Sequence, residues 1–299
     1  VSQRILIDRL EFYITNVCNL TCDGCNRYNN YNFRGWTAWD DYAEDLELWS
    51  RYIDIRQLVI LGGEPLMNRD IVKWIAGLSR LWPDHYGVQV LTNGTRIDRV
   101  RGLYRALDPI NKSWISVSIH NPDDKEEIFS RIRNFLTPPI RETADPDHRA
   151  GSDFQFYDAN NRYVHVWMSD KFVQSNVIQR QDGSFTLYQS QPERAHENCT
   201  FRRFKNYHWI NGRIYKCGPV ALMPEFDRQY QFDISPEDRV LLNSYQGLAV
   251  SEFEQRGQDF LAHIDHVIPQ CKFCPEQLER KPITFSPRKK SWKISTETL

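Results

Sequence analysis

The sequence lacks any long apolar run; nowhere does it approach the roughly 20 residues that a membrane-spanning helix requires. It lacks a charge surplus too. Its 299 residues carry 38 Lys and Arg against 39 Asp and Glu, a net charge of −1. That balance gives no general drive toward nucleic acid or an anionic membrane surface, since both demand a basic footprint. The first ten residues include Arg4, Asp8 and Arg9, which excludes a signal peptide there. The expectation is a cytoplasmic protein with no membrane partner and with nucleic acid disfavoured. Internal repeats and low-complexity segments are absent. So is cysteine between residues 25 and 199; all seven lie at 18, 22, 25, 199, 217, 271 and 274. An odd number in tight groups, without a secretion signal, argues against a disulfide framework and for metal.

What is present in the first half is alternation of strand and helix signals. Leu10–Thr15, Gln57–Leu61, Val88–Leu91 and Trp114–Ile119 read as strands. Trp39–Ile53, Arg69–Trp82, Ile97–Leu107 and Asp123–Leu136 read as helices, the second stopped by Pro83 and the fourth followed by Pro138-Pro139. Repeated βα units of this length imply an α/β fold with a parallel sheet, open or curled toward a barrel. Ligands in such folds sit beyond the carboxyl ends of the strands. Cys18–Cys25, Gly62–Pro65, Thr92–Gly94 and Ser118–His120 all fall at such ends. After Pro139 helices become scarce. Asp153–Tyr157 and Tyr163–Met168 read as strands around a turn, with another strand at Ser184–Gln189. Asn211-Gly212 inside 207–215 is a type I′ hairpin signal, and Val250–Ile264 reads as a helix leading to the last cysteine pair. Trp49 and Trp74 fall on helix faces, so the aromatic richness is read as core rather than as a nucleic-acid stacking surface.

Three thiolates at Cys18, Cys22 and Cys25 can hold three corners of an inorganic cluster and leave one iron open. A structural zinc site needs four closed ligands, which here would require completion from afar. The CNLTCDGC stretch after a strand, followed by LGGEP after the next, resembles the radical S-adenosylmethionine (SAM) superfamily over roughly Leu10 to Arg133. The resemblance implies a [4Fe–4S] cluster on the three cysteines, its open iron chelating SAM. It places Gly62, Gly63, Glu64 and Pro65 at the methionine amino group, where glycines let backbone approach and a carboxylate accepts from an ammonium. By the same resemblance Asn93 lies near the cofactor, Ser118 at its ribose and Arg131 at its carboxylate. Each also reads plainly as a turn, cap or surface residue. One departure is Gly24, where the family usually has an aromatic residue near adenine; Tyr28 or a backbone contact is the substitute expected.

Cys199, Cys217, Cys271 and Cys274 suffice for a closed site, and by ligand chemistry zinc and [4Fe–4S] both suit. A cysteine before a hairpin, one after it, and a CxxC beyond a helix resemble the twitch, or shortened SPASM, domain. That resemblance implies an auxiliary [4Fe–4S] cluster. The whole resembles the architecture of the aminocyclitol dehydrogenase of butirosin biosynthesis: a partial, abridged (β/α) radical SAM barrel with a small hairpin-plus-helix domain. The expected division is a barrel at 1–170, a connection at 171–198, the twitch-like domain at 199–280 and a basic, irregular tail at 281–299.

The implied chemistry is reductive cleavage of SAM to a 5′-deoxyadenosyl radical, hydrogen abstraction from substrate, and an external one-electron donor such as flavodoxin or ferredoxin. Three plus four cysteines leave no free thiol to return a hydrogen atom, which favours two-electron oxidation of a small polar metabolite. His120, Asp170 and Lys171 are the candidate bases, with His120 also readable as a turn residue bonded to backbone. Two alternatives stand beside this reading: maturation of a ribosomally made peptide, which the shortness of the segment before Cys18 disfavours, and a non-enzymatic zinc protein.

Overall fold

A computed structural model describes residues 4–107, 112–145 and 153–285. The chain begins with β1 (Ile5–Tyr13), α1 (Ala43–Tyr52), β2 (Ile53–Leu61), α2 (Ile71–Leu81), β3 (Gly87–Thr92), α3 (Leu103–Ala106), β4 (Trp114–Ile119) and α4 (Lys125–Phe135). Next come β5 (Arg141–Asp145), β6 (Asp153–Tyr157), β7 (Tyr163–Met168), β8 (Lys171–Val173), β9 (Val177–Gln179) and β10 (Phe185–Leu187). The remainder holds α5 (Pro192–Glu197), α6 (Thr200–Phe204), β11 (Asn206–Ile210), β12 (Arg213–Tyr215), α7 (Gly218–Tyr230), α8 (Pro236–Asn243), β13 (Leu248–Ala249), α9 (Gln258–Ala262) and β14 (Arg280–Pro282).

Ten strands form one sheet in the order β13-β12-β11-β1-β2-β3-β4-β7-β6-β5. The six from β11 to β7 are parallel, and antiparallel strands extend both ends. This is the α/β class that the repeated βα units imply, built as a partial barrel. Central strands are buried on both faces, hence the near-continuous apolar run Leu58–Leu61 in β2. On one face Phe12, Ile60, Val90, Val117 and Val166 pack under α1, α2 and α4; on the other Tyr13, Val59 and Leu61 pack with Tyr28 and with Phe226 of α7.

The expected boundary at 199 does not divide the sheet. β11, the first strand of the hairpin, pairs in parallel with β1, setting Leu10 opposite Tyr207 and Phe12 opposite Trp209. β1 would otherwise be an edge with a row of unpaired backbone groups. Trp209 is fully buried, with ring centroids 5.8 Å from Phe12 and 5.4 Å from Trp74. The hairpin turn itself is as expected, with Asn211 at φ 47° and Gly212 at φ 84°. Residues 171–198, expected as a connection, supply β8 to β10 and α5. Of the expected tail, β14 pairs with β8 and residues 283–285 run beside the first cysteine loop; residues 286–299 lie outside the described part.

Two expected helices are shorter than their periodicity suggests. In the Ile97–Leu107 stretch only Leu103–Ala106 is helical, because Gly102 takes φ 81° just before it. Val250–Ile264 starts as a 3₁₀ turn, widens into a π turn at Phe253–Gly257 and becomes α only in α9. The Phe253 ring lies on the bare backbone of Gly257, where a Cβ would sit 2.6 Å from its Cγ. Conversely α7 escapes a sequence reading: it opens on Gly218-Pro219 and contains Pro224. Pro219 occupies the first turn, where no intrahelical N–H is needed. Burial of Val220, Met223 and Phe226 compensates the bond lost at Pro224.

Gly77 lies in α2 under the indole of Trp39, which meets Trp74 edge-on at 5.1 Å. A Cβ at Gly77 would land inside the Trp39 ring. Gly77→Ala is therefore predicted to lower unfolding free energy by about 1–3 kcal/mol through overpacking, despite a helix-propensity gain of about 1 kcal/mol. Urea denaturation checks this, and a more stable variant would contradict the packing account.

Candidate functional site

The loop after β1 carries Cys18, Cys22 and Cys25 and is fastened to the end of β2 by backbone. Gly63 N donates to Thr15 O at 2.8 Å, and Glu64 N donates to Val17 O at 2.7 Å. The two glycines are required by this contact. A Cβ on Gly62 would stand 2.6 Å from Thr15 O, and one on Gly63 would strike Val17 O and the Cβ of Cys18. Leu20 N donates to Cys18 Sγ at 3.4 Å. Cys22 is buried and bridges Phe285, while Asp23 N donates to Thr284 O at 2.7 Å. The chain after β14 thus covers the far side of the loop.

Glu64 is fully buried and meets three donors: Thr92 Oγ1 at 2.6 Å and Leu66 N at 3.0 Å on Oε1, and Asn93 N at 2.8 Å on Oε2. Burial pushes its carboxyl pKa up, and those hydrogen bonds and Arg96 oppose the shift only in part. With two donors on Oε1 and one on Oε2, Glu64 locks the ends of β2 and β3 together and keeps an acceptor position on Oε2. Pro65 is buried in the 3₁₀ turn that follows. Asn93 Nδ2 donates to Asn19 Oδ1 at 2.9 Å, and Asn19 Nδ2 donates to Thr95 Oγ1 at 2.9 Å, which joins the β3 end to the cysteine loop.

The other four cysteines lie at element ends. Cys199 and Cys217 are the residues preceding α6 and α7, while Cys271 and Cys274 lie on one short turn. Cys217 N donates to Tyr245 Oη at 2.9 Å, and Asn176 Nδ2 donates to Cys274 Sγ at 2.9 Å. Burial pushes the Cys217 thiol up to about 12, with Cys199 and Cys271 adding to the rise. Burial likewise raises Cys274 well above its ordinary value, and Cys217, Cys271 and Cys199 raise it further. Cys217 and Cys274 therefore both lie within electrostatic reach of Cys199 and Cys271. Such a set, with Cys217 and Cys271 buried and Cys199 and Cys274 half-buried, is stable as thiolates only when a cation neutralises it, which is what a metal or iron–sulfur group does. Lys216, 6% exposed, stands beside them with Nζ 3.0 Å from His196 Nε2. Among the described residues no three His, Cys, Asp or Glu side chains form a group tight enough for a single metal ion.

A cavity of about 1100 Å³ lies between the two groups; Cys25, Cys199, Cys217, Cys271 and Cys274 line it. Asp170 and Lys171 also line it and are exposed to it. His120 is not among its walls: Nδ1 lies 3.1 Å from Ser169 O, and burial lowers the imidazole pKa. The contact to Ser169 O is the backbone bond of a turn residue, and its ring lies 5.0 Å from that of Phe172 in the cavity wall. Ser118 faces the same side of the sheet, in register with Trp167. Arg131 does not reach the site. Its guanidinium is held by Glu127 at 2.7 Å and Asp98 at 3.1 Å, bracing α4 against the turn before α3. Tyr28 is fully buried, edge-on to Phe226 at 5.5 Å, so it is closed to any ligand ring. Gly24 takes φ 81°, with Phe172 Cβ 3.7 Å from the position its own Cβ would take.

Sequence reading missed Asp153, His165 and Trp167, which line the cavity, and the charged layer beneath it. In that layer Glu11 is 2.8 Å from Arg27, 3.2 Å from Arg9 and 3.3 Å from His208. Burial pushes the Glu11 carboxyl up, but His208, Arg27 and Arg9 outweigh it and bring it to about 2. Burial, with Arg27, lowers His208 to about 4, so the pair stands as carboxylate and neutral imidazole at pH 7. The available signal was polar or aromatic residues recurring at every second position of apolar strands, as in Tyr163, His165 and Trp167.

The family model described as Radical SAM superfamily matches residues 12–145. GTP 3′,8-cyclase of Corynebacterium glutamicum (strain R) is 30% identical over 130 residues, 38% of this chain and 34% of that protein. The same enzyme of Petrotoga mobilis (strain DSM 10674 / SJ95) is 30% identical over 129 residues, 42% of this chain and 39% of that protein. The chain thus spans between a third and two fifths of the length of these curated relatives. Among solved structures, SuiB of Streptococcus suis bound to S-adenosylmethionine is 20% identical at a TM-score of 0.33, covering 41% of this chain and 27% of that one. BtrN in complex with AdoMet and 2-DOIA is 13% identical at a TM-score of 0.42, covering 91% and 85%. Among the described residues no helix is long and apolar enough to cross a membrane.

Glu64→Gln places an amide N–H₂ against one or more of the three donors now facing carboxylate oxygens. The predicted loss of stability is about 1–3 kcal/mol, measured by chemical denaturation of the purified protein. Unchanged stability would show that the three hydrogen bonds do not hold the strand ends.

Proposed function

We propose, from the radical SAM superfamily domain carried by residues 12–145, that this protein is a two-cluster radical SAM oxidoreductase acting on a small polar metabolite. The observation that carries the proposal is the single cavity lined by Cys25 on one side and by Cys199, Cys217, Cys271 and Cys274 on another. Cys18, Cys22 and Cys25 would hold a [4Fe–4S] cluster with one open iron, and the other four an auxiliary [4Fe–4S] cluster in a closed site. When bound, the first supplies an electron that cleaves SAM to a 5′-deoxyadenosyl radical, which takes a hydrogen atom from substrate.

The chain's own residues position the reactants and exclude water. Backbone at Gly62 and Gly63, held in place by the buried Glu64, would receive the methionine end of SAM. Asn93 stiffens the cysteine loop through Asn19, and Ser118 would meet the ribose. Asp170 and Lys171 are the candidates to take the proton lost on oxidation, since both border the cavity. All seven cysteines serve as ligands, so no thiol is left to return a hydrogen atom. An auxiliary group on the other four cysteines would accept the second electron, giving a net two-electron oxidation, and an external one-electron donor such as flavodoxin or ferredoxin would supply the first.

Anaerobically reconstituted protein with dithionite is predicted to convert SAM to 5′-deoxyadenosine, read by chromatography. Cys22→Ala abolishes this conversion. Cys217→Ala keeps it and loses substrate oxidation. Equal 5′-deoxyadenosine from Cys22→Ala and the parent would overturn the assignment of the first cysteine group.

A further inference from the structure

Along β7, Tyr163, His165 and Trp167 alternate with Val164 and Val166. The valines are fully buried in the helix-covered core, so the three rings turn to the opposite face. Ring centroids are 6.4 Å apart between Tyr163 and His165, and 5.5 Å between His165 and Trp167. His165 Nε2 lies 3.3 Å from Asp153 Oδ2; the carboxylate is 5% exposed and the imidazole 25%. Asp153, His165 and Trp167 all line the cavity between the cysteine groups. In register, Trp167 stands between Ser118 of β4 and Asp153 of β6.

We propose that Asp153, His165 and Trp167 form the seat of a saturated hydroxylated ring, a carbohydrate or cyclitol. The inference rests on the radical reading above and names its substrate class. Trp167 offers an apolar aromatic surface to the C–H face of such a ring. His165, with Nε2–H donating to Asp153, keeps Nδ1 as an acceptor for a ring hydroxyl, and the buried carboxylate holds that tautomer. A peptide would dock by its backbone on a free strand edge, but β7 is paired on both sides, by β4 and by β6. The seat adjoins Ser118 in register, the residue proposed above for the ribose of SAM.

The test is saturation-transfer NMR on reconstituted protein with SAM and no reductant, so that binding is read without turnover. The probes are myo-inositol, glucosamine, guanosine triphosphate and tetra-alanine. The expected result is saturation transfer to ring protons of myo-inositol or glucosamine. It falls about fivefold in Trp167→Leu and about threefold in Asp153→Asn, while Trp167→Phe retains more than half. Absence of transfer to both rings overturns the seat. So does transfer that Trp167→Leu and Asp153→Asn leave unchanged, or guanosine triphosphate or tetra-alanine replacing the rings with the same dependence on Trp167 and Asp153. 5′-Deoxyadenosine formation is measured separately on the same reduced preparations. Ring binding without cleavage overturns the radical reading and keeps the seat; cleavage without ring binding overturns the seat alone.

Discussion

Glu64 meets three donors in a place that water does not reach, and the geometry of the cysteine loop depends on it. Its backbone N–H holds Val17 while its carboxylate holds Thr92 and Asn93. One residue therefore ties together the loop after β1, the end of β2 and the end of β3. The glycines before it let the loop come within backbone distance, and Asn93 returns the connection through Asn19. A loop carrying three cysteines has no regular structure to stiffen it. These bonds supply the preorganisation that a ligand set needs.

A second constraint acts through the sheet. Because β11 pairs with β1, the chain on either side of the hairpin is anchored to the same strand that launches the first cysteine loop. Cys217 then follows directly as the residue before α7. Arg27, two residues past Cys25, packs its guanidinium on Gly218, where a Cβ would come within 2.5 Å of Nη1. The two cysteine groups therefore lie beside neighbouring strands of one sheet, with the cavity between them. The buried charges of Glu11, Arg27 and Arg9 sit at this seam and are satisfied largely by one another, as buried charges must be.

The parallel core was legible in sequence because its strands are apolar runs ended by Gly62-Gly63 or by Asn93-Gly94, and such punctuation is local. The grouping of the cysteines was legible for the same reason, since their spacing is local and is read without any knowledge of contacts. Three matters were not. The motif at Gly62–Pro65 names residues but not directions, so the inward turn of Glu64 could not be read. Arg131 fits a motif position, yet Asp98 and Glu127 lie within reach and take its charge. The pairing of β11 with β1 joins residues about 200 apart, and nothing in a hairpin signal specifies its outer neighbour. Asp153 and His165 likewise meet only through the antiparallel register of β6 on β7.

The central claim is that two iron–sulfur groups face one cavity, and metal analysis tests it most directly. Protein purified and reconstituted without oxygen is measured for iron, sulfide and zinc per chain. The account predicts about eight irons with matching sulfide and no zinc. Zinc retained with no iron would contradict it outright, and about four irons with one zinc would contradict the auxiliary electron acceptor on which the oxidative outcome depends.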